Sequence, residues 1–244
     1  MFTKIHIKMA ILIGTDEAGY GPNFGPLVIS ATTWRVPDAL IETDMYQVLG
    51  TAVEACSDPS RPGLPIGDSK LLYKLGGGLA TLERSVLATA STLGIVVDTW
   101  HDVWQAFAPQ SVEWRNRLPW YADFQASAPV DATPNQIKEC GAQFSIALDQ
   151  SEIQLLSMRS VAIFPERLNA LIDRFDTKGG ALSFETLKLV QQQLEAIGDE
   201  RVIVHCDKHG GRNRYASVLQ TVFPDILPSI VCEKIGRASC RERV

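Results

Sequence analysis

Short apolar runs and longer helical periods alternate along the chain. Runs rich in Ile, Val and Leu predict buried strands at 9–14, 27–34, 95–97, 152–163 and 202–206. Apolar residues at helical spacing predict helices at 38–56, 79–93, 135–149, 165–175 and 183–197. Gly179 and Gly180 predict a break before the last of these helices, with Ser183 as its N-cap. Strands that alternate with helices predict an α/β domain with a mixed sheet that helices flank.

The segment 98–133 has no regular period but is too aromatic to be disordered. It contains four tryptophans, Trp100, Trp104, Trp114 and Trp120. Packing is the first interpretation of such a group, and a nucleic-acid contact at 114–117 is the alternative.

Composition narrows the class of protein. The 244 residues are 45% hydrophobic, and no apolar run approaches the ~18 residues of a membrane span. We therefore expect a cytoplasmic monomer without a membrane partner. The formal net charge of −5 argues against capture of nucleic acid by bulk charge, so a local basic patch would be needed. The cysteines form no Cys-x-x-Cys pair, which argues against zinc and for reduced thiols.

The segment 14–26 reads Gly-Thr-Asp-Glu-Ala-Gly-Tyr-Gly-Pro-Asn-Phe-Gly-Pro and connects two predicted strands. Its adjacent carboxylates, Asp16 and Glu17, repel each other unless a cation lies between them. Hard oxygen ligands suit Mg²⁺ or Mn²⁺. Gly19 and Gly21 expose backbone N–H groups, so a phosphate or a sugar hydroxyl can approach closely. A surface turn with two solvated acids is the alternative.

This segment resembles the first motif of the type 2 ribonucleases H, the ribonuclease HII and HIII family. Gly-Asp-Ser-Lys-Leu at 67–71 resembles a second family element. Asp207, which ends the apolar run 202–206, stands where the family has a further carboxylate. The resemblance covers roughly 10–95 and 183–222; an insertion at about 98–150 has no match.

The resemblance implies a ribonuclease H-like fold and a metal-dependent endonuclease that hydrolyses the RNA strand of RNA–DNA hybrids. It implies that Asp16, Glu17 and Asp207 are both the catalytic residues and the ligands of Mg²⁺ or Mn²⁺. The expected substrate contacts are the 2′-OH contacts Gly19, Tyr20 and Gly21 and the phosphate contacts Ser69 and Lys70. Ribonuclease HII has Arg at the position of Tyr20. The resemblance therefore does not imply that this protein cleaves at a single ribonucleotide embedded in DNA.

The segment 207–215, Asp-Lys-His-Gly-Gly-Arg-Asn-Arg-Tyr, places basic side chains directly behind a predicted metal ligand. Lys208, Arg212 and Arg214 are expected to contact phosphates, because glycine N–H groups and guanidinium groups both bind anions. An ordinary Gly-rich loop is the alternative. His209 is either a general acid or base or a structural residue.

The family has a fourth acid, and the run that carries it is missing before position 235. We expect it beyond a truncation, with Asp149, Glu152 and Glu233 as the alternatives. The codons of 235–244 can be written as part of a widely used sequencing adapter. We therefore expect an incomplete domain at 1–234 and an adapter-derived tail at 235–244; a basic nucleic-acid-binding tail is the alternative. A truncated chain is expected to bind Mg²⁺ weakly and to cut slowly or not at all.

Two other functions remain open at this point. One is a nucleic-acid-binding module that keeps the fold without full catalysis. The other is a different phosphate-handling hydrolase that uses the loop at 208–215.

Overall fold

A four-stranded mixed sheet forms the centre of the structure. The computed structural model describes residues 8–18, 25–55, 63–73, 78–209 and 214–225. The strands of the sheet are β1 (Met9–Ala18), β2 (Leu27–Pro37), β5 (Gln154–Ile163) and β6 (Arg201–Cys206). Their order is β5-β2-β1-β6; β1 and β2 are antiparallel, as are β2 and β5, while β6 is parallel to β1. A short parallel pair is formed by β3 (Val53–Glu54) and β4 (Leu64–Pro65).

Helices lie between and after the strands. They are α1 (Met45–Leu49), α2 (Ser69–Leu72), α3 (Ala80–Ser91), α4 (Trp100–Phe107), α5 (Val112–Asn116), α6 (Pro119–Ala122), α7 (Pro134–Gln150), α8 (Pro165–Phe175), α9 (Lys178–Leu194) and α10 (Ala216–Val222). The predicted α/β class with a mixed sheet and flanking helices is confirmed.

Alternation along the central strands separates the two faces of the sheet. Ile11, Ile13 and Ile29 are fully buried on one face, where they pack against α8, α9 and α10. This is the first of the two faces. The other face carries Leu12 and Trp34, which pack against α1, α3 and α7.

The aromatic segment covers a second area on that other face. Val28 and Ala162 are cross-strand partners there, and they pack against the aromatic residues of α4, α5 and α6. Trp104 stacks on Phe164, with ring centroids 6.1 Å apart. The packing interpretation is therefore confirmed for most of this group, while Trp120 is 67% exposed.

The start of α9 differs from the prediction. The helix begins at Lys178, and the hydroxyl of Thr177 accepts a hydrogen bond from the Gly180 N–H. The two glycines thus lie in the first turn and do not break the chain. A Cβ on Gly180 would lie 2.9 Å from the backbone O of Phe175, so close packing explains the glycine. Ser183 is a fully buried residue inside the helix and not its N-cap.

Three other predictions need correction or stay open. Residues 95–97 form no strand, and Val96 is 78% exposed. In the described part of 38–56, residues 38–55, only α1 is α-helical, between two 3-10 turns and before β3. The tail at 235–244 lies outside the described residues. Among the described helices, none is both long enough and apolar enough to span a membrane.

Candidate active site

Two acids lie at the carboxyl ends of the neighbouring parallel strands β1 and β6. The pairing of β1 with β6 runs from Ala10 opposite Arg201 to Thr15 opposite Cys206. Asp16 is the next residue of β1, Asp207 directly follows β6, and both are exposed. Since neighbouring strands lie about 4.8 Å apart, their side chains start close together. The prediction that the two acids come from strands lying side by side is confirmed.

Neighbouring charges influence the pKa of Asp16. Desolvation raises the pKa of the Asp16 carboxyl, and the negative charges of Asp207 and Asp68 raise it further. The Glu17 backbone N–H, which donates to Asp16 Oδ1 at 2.9 Å, and the charge of Lys70 act in the opposite direction. A bound cation would stabilise the ionised form of such a carboxylate, because the positive charge offsets the repulsion from the neighbouring acids.

Glu17 lies within electrostatic reach of both acids but on the other face of the sheet. Its pKa is raised by desolvation first, and then by the charges of Asp16 and Asp207. In the β1–β2 register Glu17 is opposite the buried Ile29, whereas Asp16 is opposite the exposed Ser30. Strand alternation therefore directs the two adjacent carboxylates to opposite faces.

This alternation explains why the acids of the site do not form a group of three metal ligands in the described residues. Within the described part of the chain, no three His, Cys, Asp or Glu side chains are grouped so that they could hold a metal ion together. Asp16 and Asp207 share an edge and a face, and their hard carboxylate oxygens fit Mg²⁺ or Mn²⁺ in chemistry. A complete set of ligands is not seen in these residues, and the role of Glu17 as a ligand stays a prediction.

The Asp-Ser-Lys element lies near Asp16, as the charges of Asp68 and Lys70 on its pKa show. The carboxylate of Asp68 caps α2 by accepting a hydrogen bond from the Lys70 N–H at 2.9 Å. Gly67 packs so closely on the backbone of Ala55 that a Cβ there would collide with the Ala55 carbonyl. Ser69 and Lys70 are exposed, and Lys70 is the one of the two whose charge acts on Asp16. Asp68 is an acid of this site that the sequence reasoning did not single out, although it stands in the motif.

Two hydrogen bonds of His209 hold the segment that follows Asp207. The side chain of His209 is buried, and its Nδ1 lies 3.0 Å from Ser183 Oγ on α9. Ser183 Oγ donates to the Gly179 carbonyl at 2.7 Å, so the Nδ1–H of His209 is the donor to Ser183. The His209 backbone N–H donates to the Tyr215 hydroxyl at 3.0 Å. His209 therefore has a structural role in anchoring the segment after β6, and its role as a general acid or base stays a prediction.

The structure describes only part of the predicted phosphate-binding loop, residues 208, 209, 214 and 215. The Lys208 N–H donates to Asp207 Oδ1 at 3.0 Å, and Arg214 is exposed before α10. Four predicted substrate contacts lie outside the described residues: Gly19, Tyr20, Gly21 and Arg212.

Two of the alternative fourth acids lie at the wrong end of the sheet. Asp149 and Glu152 precede β5, whose first residue, Gln154, is opposite Arg35. Arg35 is in turn opposite Ile11, five residues before Asp16 and thus about 17 Å away along the strand. Neither acid can join Asp16. The third alternative, Glu233, is outside the described residues.

Comparisons with known proteins return no match. No protein-family model, no curated protein and no solved structure matches the chain. The chemistry of the site is therefore argued from its residues and their geometry.

Proposed function

We propose that the protein is a metal-dependent endonuclease with a ribonuclease H-like fold that hydrolyses the RNA strand of RNA–DNA hybrids. One observation carries the proposal: β1 and β6 are paired in parallel up to Thr15 and Cys206, and Asp16 and Asp207 are the residues that come next in each segment. The Asp-Ser-Lys element, the second part of the sequence resemblance, lies near Asp16 and supports the same interpretation.

The carboxylates have a clear task in this reaction. Asp16, Glu17 and Asp207 would hold Mg²⁺ or Mn²⁺, with Asp16 and Asp207 on the same face. A bound divalent cation supplies an activated water and neutralises charge at the phosphorus. Lys70, next to Asp16, offers an ammonium group to a substrate phosphate, and Ser69 offers a hydroxyl.

The rest of the substrate would be held around this edge. Lys208, Arg212 and Arg214 follow Asp207 in the chain, and we expect these basic residues to contact phosphates of the substrate. The backbone of Gly19, Tyr20 and Gly21 would contact the 2′-OH. We further propose a monomer in the cytoplasm, where the free thiols of the described residues, Cys140 and Cys206, would stay reduced.

A cleavage assay tests the proposal. The 244-residue chain is incubated with an RNA–DNA hybrid labelled on the RNA strand, with Mg²⁺, with Mn²⁺ and with EDTA, beside a DNA duplex of the same sequence. We expect slow, metal-dependent cleavage of the RNA strand alone, as for a chain in which the fourth acid of the family is not found. Asp16→Asn and Asp207→Asn should each lower the rate by more than about 100-fold, because each removes a charged ligand. Asp149→Asn, an exposed acid at the other end of the sheet, is the matched control and should leave the rate unchanged. Cleavage that survives in both site variants would contradict the proposal.

The orientation of Glu17 favours one alternative, a nucleic-acid-binding module of the same fold without full catalysis. Asp16 and Asp207 lie on one face of the sheet, and Glu17 lies on the face that packs against α8, α9 and α10. If Glu17 keeps that place, the face of Asp16 offers fewer ligands than two cations need. The same assay separates the two functions. Binding of the hybrid without metal-dependent cleavage would select the binding module.

A further inference from the structure

The helices leave an opening over the two central strands of the sheet. β1 and β2 are interior strands, and other elements pack on parts of both of their faces. Asp16 on β1 and Ser30 on β2 are nevertheless exposed, and they are cross-strand partners. The opening lies between the area that packs on Trp34 and the area that packs on Val28.

The floor of this opening continues from the acids as a pair of hydroxyls. Ser160 on β5 is the cross-strand partner of Ser30, and the two Oγ atoms are 2.8 Å apart. Asp16, Ser30 and Ser160 therefore form a row on one face, with a step of about 4.8 Å from strand to strand. Gln110 fixes the outer end of the row, because its Nε2 donates to the Ser160 carbonyl at 2.9 Å.

The hydroxyl pair has hydrogen-bonding capacity left over. One of the two hydroxyls donates to the other, so one hydrogen and several lone pairs remain. Among the described residues neither Oγ has a further hydrogen-bond partner. The pair can thus donate and accept at the same time, and a ribose 2′-OH is both an acceptor and a donor.

We propose that the Ser30–Ser160 hydroxyl pair binds a 2′-OH of the RNA strand, beside the nucleotide whose phosphate lies at Asp16. This inference rests on the proposed function. It adds a side-chain contact on the sheet through which RNA would be distinguished from DNA. The row begins at Asp16, so an RNA strand that follows it passes from the acids directly to the hydroxyls. A deoxyribose at the same place would leave the pair without this partner.

Binding measurements on variants test the proposal. All of them carry Asp16→Asn, so that cleavage does not interfere, and affinity is measured by fluorescence anisotropy. The ligands are an RNA–DNA hybrid and a DNA duplex of the same sequence. Ser30→Ala and Ser160→Ala should each weaken binding of the hybrid about three- to tenfold, the usual effect of one neutral hydrogen bond. Binding of the DNA duplex should change less than twofold. Ser91→Ala, an exposed serine on α3 whose hydroxyl donates to the Ala88 carbonyl, is the control and should change neither.

Each contrary result has a separate meaning. If the parent chain does not prefer the hybrid over the DNA duplex, the proposed function fails. If it does, and both serine variants bind the hybrid as tightly as the parent, the hydroxyl-pair proposal fails while the function stands. Equal weakening for both ligands would assign the pair to phosphates and would also overturn the 2′-OH contact.

Discussion

At the scale of single residues, Asp16 combines an exposed position with a raised pKa. The cause is desolvation together with the neighbouring charges of Asp207 and Asp68. A folded state that binds a proton more tightly than the unfolded chain gains stability from this group at low pH. That contribution is complete below the unfolded pKa and is lost as the pH rises through the folded pKa. The ionised carboxyl of Asp16 therefore opposes folding at neutral pH.

The variant Asp16→Asn tests this electrostatic origin. The Asn Oδ1 can still accept the Glu17 N–H, while the ionisable group is gone. We expect the free energy of unfolding of the variant to exceed that of the wild type at neutral pH without metal. The difference should shrink as the pH falls through the folded pKa of Asp16 towards its ordinary value near 4. Urea denaturation at a series of pH values measures it. A difference that does not change with pH would show that the charges of the cluster are not coupled to folding.

At the scale of helices and strands, β1, β2, β5 and β6 were accessible to prediction because each contains a short run of apolar and β-branched residues. The start of α9 was not, because the glycines that usually break helices are required there by packing. Gly179 faces the His209 carbonyl, from which a Cβ would be 3.2 Å away, and Gly180 lies against Phe175. A local sequence pattern cannot show such contacts. His209 is distant from Gly179 in the chain, and the position of Phe175 against Gly180 depends on the angle between α8 and α9.

The same kind of close approach joins α3 to α7 and can be tested. A Cβ on Gly141 would collide with Ser91 Oγ and would lie 3.2 Å from the Ala88 carbonyl. Gly141→Ala should lower the free energy of unfolding by about 1–3 kcal/mol, the usual cost of overpacking. Adding Ser91→Ala should recover part of that loss, because it removes the nearest atom.

Gly198→Ala is the matched control, since a Cβ there would meet nothing within 4 Å. Its free energy of unfolding, measured by urea denaturation, should stay close to that of the wild type. If Gly141→Ala is as mild as Gly198→Ala, the packing of α3 on α7 is looser than described.

At the scale of the whole molecule, the site is assembled from segments far apart in the sequence. The motif around Asp16 and the acid after 202–206 could be found in the sequence, and a resemblance suggested that they meet. Which strands are neighbours, however, depends on the packing of the whole sheet. The opposite orientation of Glu17 follows from the observed length of β1, which extends to Ala18 and was expected to end near Gly14. The opening above Ser30 depends on two separate groups of helices, so no local pattern could show it.

The central claim is that Asp16 and Asp207 together form a site for a divalent cation. Titration with Mn²⁺, with free Mn²⁺ followed by electron paramagnetic resonance, tests it directly in the wild type and in three variants. The wild type should bind Mn²⁺. Asp16→Asn and Asp207→Asn should each weaken the affinity by at least about tenfold, because each replaces a charged carboxylate with a neutral amide. Asp149→Asn should bind Mn²⁺ as the wild type does. Affinities that are the same in all four proteins would contradict the shared cation site and the nuclease function that rests on it.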